Sequence, residues 1–105
     1  MTSPIRAILN NCASIVDQRG ASYGGIESSF QDASIIASIL TSKELSARDV
    51  ALVLHAVKLA RLAGHPDHAD SYDDGINYLA FARHLQGLMP PEPTRHDPFK
   101  STTKI

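Results

Sequence analysis

The stretch LSARDVALVLHAVKLARLAG, residues 45 to 64, constrains the fold more than any other part of the chain. Ser46 followed three residues later by Asp49 makes a capping box, and Leu45 is placed as a hydrophobic staple to Val50. The apolar spacing predicts a helix to Ala63, with Gly64 as its C-terminal stop. Projected at about 100° per residue, Leu52, Val53, Ala56, Val57, Leu59, Ala60 and Ala63 fill one broad arc, while Ala51, Leu54, His55, Lys58, Arg61 and Leu62 share the other. A helix this apolar is expected at the centre of the fold, with few faces open to water.

Three further helices are expected around it. Thr2 or Ser3 can cap the first, Pro4 suits its opening turn, and Ile5, Ile8, Leu9, Cys12, Ile15 and Val16 follow helical spacing to an end near Gln18 or Arg19. The segment DQRGASYGG then sets Gly20, Gly24 and Gly25 around Tyr23, which predicts a shaped loop. The second helix is expected from about Ile26 to Leu40, with an apolar stripe through Phe30, Ala33, Ile36, Ala37 and Leu40. The fourth is expected to begin after Ser71, with Asp74 three residues on, and to run to about Leu88 before Pro90 and Pro91. No strand pattern, repeat or second core interrupts this order, so the expected fold is all-α: a compact bundle of four helices over residues 1–88. Residues 89–105 carry four prolines without apolar periodicity and are expected to form a flexible tail.

The 105 residues suffice for one hydrophobic core and not for two. A formal net charge of -1 supplies no global field to draw the chain onto nucleic acid or an anionic membrane, so any anion site must be local. The opening MTSPIRAILNNCASIV mixes polar residues into its apolar stretch, unlike a signal peptide, and no segment has the run of about 20 apolar residues that crosses a bilayer. A cytoplasmic protein is expected. Cys12 is the single cysteine and lies on the apolar face of the first helix, where a buried free thiol is ordinary.

Several groups of residues carry chemistry. Lys58 and Arg61 stand three apart near the end of the third helix, where they complement the helix dipole. Their apolar neighbours Ala51, Leu54 and Leu62 imply that at least one head group is partly desolvated and needs an anion, either a protein carboxylate or a phosphate. On the fourth helix Asp74, Asn77, Tyr78 and Phe81 share one face, which suits stacking and hydrogen bonding to a base as well as it suits plain core packing. The loop HPDHAD holds His65, Asp67, His68 and Asp70 without the fixed spacing of a zinc site. Glu27, Asp32, Asp49, Asp70 and Asp74 are the carboxylates available to Mg²⁺, and none repeats as an E-x-x-E pair. There is no nucleophile elbow, Walker loop or dinucleotide fingerprint.

The blocks ILNNCASIVDQRGASYGGIESSF, LSARDVALVLHAVKLARLAG and DSYDDGINYLA resemble a family of small helical proteins of unknown function carried by tailed bacteriophages and prophages, over roughly residues 5 to 83. The resemblance implies phage or prophage origin, a bacterial host cell and a compact α-helical domain. Members look distantly like the all-α nucleoside triphosphate pyrophosphohydrolases of the MazG type. Those enzymes carry an E-x-x-E pair on one helix and an E-x-x-D pair on another, whereas here Glu27 and the Asp70/Asp74 pair are in comparable places. The resemblance therefore implies binding more than hydrolysis.

The leading expectation is a phage-type α-helical protein that binds a nucleotide or other phosphorylated small molecule. Arg19 and Tyr23 in the glycine segment, with Lys58, Arg61, Asn77 and Tyr78, are the expected ligand contacts. Glu27, Asp70 and Asp74 would hold Mg²⁺ if the site takes a cofactor. Any catalysis would be attack of water on a phosphoanhydride, with Mg²⁺ assistance and a carboxylate base. The rival expectation is a non-catalytic helical interaction protein for a host or phage partner, with Lys58, Arg61 and Asp74 in an internal ion-pair network. Either way the apolar third helix leads us to expect a homodimer or higher homo-oligomer, with neither membrane nor nucleic acid as partner.

Overall fold

The structure is a computed structural model that describes residues 3–23 and 25–89, the side chains of residues 21–23 excepted. The expected tail from Pro90 onward, Gly24 and the side chain of Tyr23 lie outside the described residues. Four helices account for nearly all of the rest: α1 (Pro4–Tyr23), α2 (Ile26–Thr41), α3 (Ala47–Gly64) and α4 (Ala69–Leu88). No strand occurs among the described residues, so the fold is all-α.

The α3–α4 hairpin is the centre of the molecule. A four-residue connection, 65–68, returns the chain antiparallel, and this pair makes the most extensive helix contact, with α2 laid on α3 and α1 on α4. Small residues set its closeness: Ala51 and Ser71 are fully buried, and Gly75 and Ala82 are buried along the same seam. A Cβ added at Gly75 would stand 3.5 Å from Lys58 Cβ and 3.8 Å from His55 Nδ1. The core beside this seam is Phe30, Ala47, Ala51, Ala82 and Leu85, flanked by half-buried Val50, Leu54, Tyr78 and Phe81. Phe81 is its aromatic hinge, tilted against Phe30 at 5.7 Å and edge-on to Tyr78 at 6.1 Å.

Local chemistry fixes the helix ends. Both arms of the predicted capping box on α3 are present: the Asp49 N–H donates to Ser46 Oγ at 3.0 Å, and the Ser46 N–H donates to Asp49 Oδ2 at 2.9 Å. The α2–α3 turn is fastened by Ser38, whose hydroxyl accepts from the Leu45 N–H at 3.0 Å and donates to the Leu45 carbonyl at 3.2 Å. Ser42 closes α2 in the left-handed region at φ 56°, a conformation short polar side chains tolerate better than branched ones.

Three expectations need correction. Helix α1 does not stop near Gln18 or Arg19; it runs on through Gly20 to Tyr23, so most of the expected glycine loop is helix. One glycine inside a helix costs about 1 kcal/mol relative to alanine, too little to end it alone. Helix α4 starts at Ala69 instead of after Ser71, because His68 caps it: His68 Nδ1 accepts from the Ser71 N–H at 3.2 Å and from the Ser71 hydroxyl at 2.7 Å. Nδ1 accepts in both, so the ring proton is on Nε2. Third, α3 is not closed to water. It turns Ala51, Leu54, His55 and Lys58 inward and leaves Val53, Val57 and Leu59 exposed, because His55 and Lys58 find partners on α4, whose small Ser71, Gly75 and Ala82 let the two backbones come close.

No helix among the described residues is long and apolar enough to cross a membrane. Ser46→Ala should remove the α3 cap at a cost of about 1 kcal/mol, read as a lower urea midpoint with an unchanged denaturant slope.

Candidate functional site

Helix α4 presents Asp74 toward both of its neighbours. From α3, Lys58 Nζ reaches Asp74 Oδ2 at 3.0 Å, the two side chains being 15% and 16% exposed. From α1, Arg19 Nη2 stands 3.8 Å from Asp74 Oδ1 and remains 56% exposed. One carboxylate thus faces two cations drawn from helices far apart in the chain. The continuation of α1 past Gln18 is what brings Arg19 within reach.

Beside the junction the seam is locked by backbone. The His55 ring donates from Nδ1 to the Gly75 carbonyl at 2.7 Å, which assigns its proton to Nδ1 because a carbonyl only accepts. Asn77 is buried and donates from Nδ2 to the Cys12 carbonyl at 3.1 Å, tying α4 to α1. Asp73 adds a second tie, accepting from Asn11 Nδ2 at 3.2 Å, with Cys12 Sγ 3.8 Å from its side chain and from its carbonyl. Cys12 is 2% exposed, as the sequence led us to expect, and burial first, then the Asp73 carboxylate, pushes its thiol pKa up. It is a packed thiol and not a poised nucleophile.

The structure thus gathers Arg19, Lys58, Asp74, Asn77 and Tyr78. A cleft of about 20 Å³ beside Arg19 and Asp74 is walled by Val16, Asn77, Tyr78 and Phe81. Val16, Asn77 and Phe81 are also walls of a much larger open groove of about 820 Å³ between α1, α2 and α4. Its surface is mainly aliphatic, from Leu9, Ala13, Ile26 and Ala80, with Asp17, Glu27 and His84 at its polar positions.

Other expected members stand elsewhere. Arg61 is exposed in the last turn of α3 and joins no ion pair among the described residues. Asp70 is exposed in the first turn of α4, and Glu27 accepts from His84 Nε2 at 3.0 Å across the groove. Glu27, Asp70 and Asp74 therefore have three separate surroundings, and no three His, Cys, Asp or Glu side chains among the described residues are grouped to hold a metal ion. The arrangement does not fit the expected Mg²⁺ set. Tyr78 packs edge-on to Phe81 in the core, and Asn77 spends its amide on α1.

Asp73, His55 and His84 join the site only through the tertiary structure. Asp73 and Asn77 are spaced i, i+4 on the side of α4 facing α1, a signal that was available. Glu27 and His84 are 57 residues apart, and nothing local connects them.

Lys58→Met should cost about 1–3 kcal/mol, between the values for exposed and fully buried pairs, and Asp74→Asn a similar amount. The double variant should lose less than the sum of the two, measured by urea unfolding. For Cys12 the folded state holds the thiol proton more tightly than the unfolded chain, so its contribution is complete below the ordinary thiol pKa and is lost as pH climbs through the raised one. Native Cys12 should accordingly react with a thiol reagent at pH 8 far more slowly than in urea.

No curated protein and no solved structure matches the chain. Residues 7–86 match the model of a family described as a domain of unknown function, DUF6378. That span begins in the first turn of α1 and ends in the last turn of α4, so it takes in the junction and the groove together. The chain belongs to the DUF6378 family.

Proposed function

We propose that the protein binds a nucleotide or another phosphorylated small molecule, with the anionic end at the Arg19–Lys58–Asp74 junction and the flat apolar part in the adjoining groove. The observation that carries this reading is the shared wall: Val16, Asn77 and Phe81 border both the small cleft beside Arg19 and Asp74 and the large apolar groove. A ligand with a charged end and a ring fits such a pair of neighbouring spaces. Arg19 is the more exposed of the two cations, open enough to leave Asp74 for a phosphate and to grip it with two parallel N–H donors. Arg61, one turn beyond Lys58 on α3, extends the same cationic side toward further phosphates. Phage-type origin and likeness to the pyrophosphohydrolases belong to this proposal, on the sequence resemblance alone. Since the carboxylates do not converge on an ion, the proposal is of binding and includes no hydrolytic step.

A second reading, a non-catalytic helical interaction protein, is favoured by the short Lys58–Asp74 contact, which links α3 to α4 without any ligand. Thermal shift separates the two. A ligand at about 100 times its dissociation constant stabilises by about 2.7 kcal/mol, or roughly 10–20 °C for a domain of this size. Nucleoside mono-, di- and triphosphates, inorganic phosphate and pyrophosphate, each with and without Mg²⁺, form the screen. The binding reading expects a shift with at least one of them that Arg19→Ala abolishes while leaving the unliganded melting temperature almost unchanged. No shift with any of them leaves the interaction reading.

A further inference from the structure

The buried apolar residues of this chain are mostly small, whereas many of its large ones are outside. Cys12, Phe30, Ala47, Ala51, Ala82 and Leu85 form the buried set, and Phe30 and Leu85 are its only large members among the described residues. Meanwhile α2 exposes Ile35, Ile36, Ile39 and Leu40, and α3, packed on it, exposes Val53 and Val57. Ile39 is 72% exposed and Val53 58%. A stretch of helix without charge and with large aliphatic side chains belongs in an interior, and the second half of α2, from Ala33 to Thr41, is one. The outer arc of α3 through Val53, Ala56, Val57 and Ala60 is also uncharged, and its 3-1-3 spacing with alternating small side chains is that of a helix-packing seam.

We infer that the outer faces of α2 and α3 are a homodimer interface, each covered by the same helices of a second copy about a twofold axis. Area supports this occupant. Six aliphatic side chains offering roughly 80 Å² each amount to roughly 500 Å², close to the apolar share of the roughly 800 Å² that each partner buries in a stable homodimer. Charge supports it as well. None of the six side chains is charged, with the exposed Asp32 standing one turn before Ile35 and Ile36 at the end of the patch, and a self-complementary apolar face is what an isologous contact requires. A second copy also supplies the large aliphatic burial that the monomer core lacks. The interface uses none of the ligand contacts proposed above, so the two proposals stand or fall separately.

Light scattering on the full chain should give twice the 11.3 kDa chain mass at 50 µM or so, and the melting temperature should rise with protein concentration. Ile39→Glu and Val53→Glu, made separately, should each weaken association by roughly 100-fold or more, because a carboxylate would be buried without a partner. Both positions are open in the monomer, and retained helical circular dichroism in dilute samples is expected. Ile5→Glu, at a 70% exposed position on α1, should leave the dimer intact. A monomeric wild type with a concentration-independent melting temperature overturns the proposal. So does dimerisation untouched by the α2 and α3 variants, or weakened equally by the one on α1.

Discussion

The close approach of α3 and α4 is the constraint on which the remaining structure depends. It exists because Ala51, Ser71, Gly75 and Ala82 put almost nothing between two helix backbones, and because His55 and Lys58 then find partners directly across the seam. The Gly75 carbonyl takes the His55 proton at 2.7 Å, one residue from the Asp74 carboxylate that takes Lys58. A larger side chain at Gly75 would strike Lys58 first and so strain packing and ion pair together.

From that seam the other helices are hung by polar ties as much as by hydrophobic area. Helix α1 is held to α4 by Asn77 on the Cys12 carbonyl and by Asp73 on Asn11. Helix α2 is held through the Ser38–Leu45 exchange and the Phe30–Phe81 contact. Such ties are directional and leave aliphatic surface over. The groove between α1, α2 and α4 and the bare outer sides of α2 and α3 are two consequences of one economy: a small core made of small residues. The proposed ligand site takes the first of these surfaces and the proposed dimer takes the second.

Short-range features were legible in the residues. Ser46 and Asp49 are three apart and satisfy one another's backbone, so the start of α3 could be read without knowing anything else about the molecule. The His68 cap is harder to read because a ring nitrogen is an unusual cap, although it too lies within three residues of its donor. The end of α1 is not marked by Gly20, which weakens a helix without stopping it. For the candidate site, the spacing of Lys58 with Arg61 and of Asp74 with Tyr78 placed cations and a carboxylate on faces that could meet. Spacing could not show that Asp74 takes Arg19 and Lys58 and leaves Arg61 outside.

Residues acting within one turn of their neighbours thus settled by themselves that the described residues form four helices, with a capped α3 and a buried Cys12. Tertiary structure alone decided which side of α3 turns inward. Both arcs of that helix carry apolar side chains, and the one turned inward is the one whose His55 and Lys58 meet the Gly75 carbonyl and Asp74, where the small Ser71, Gly75 and Ala82 of α4 let the second backbone come close. The same contact chose the partner of Lys58 and left Ile39 and Val53 facing water. These outcomes depend on distances between residues far apart in sequence, and no local periodicity encodes them.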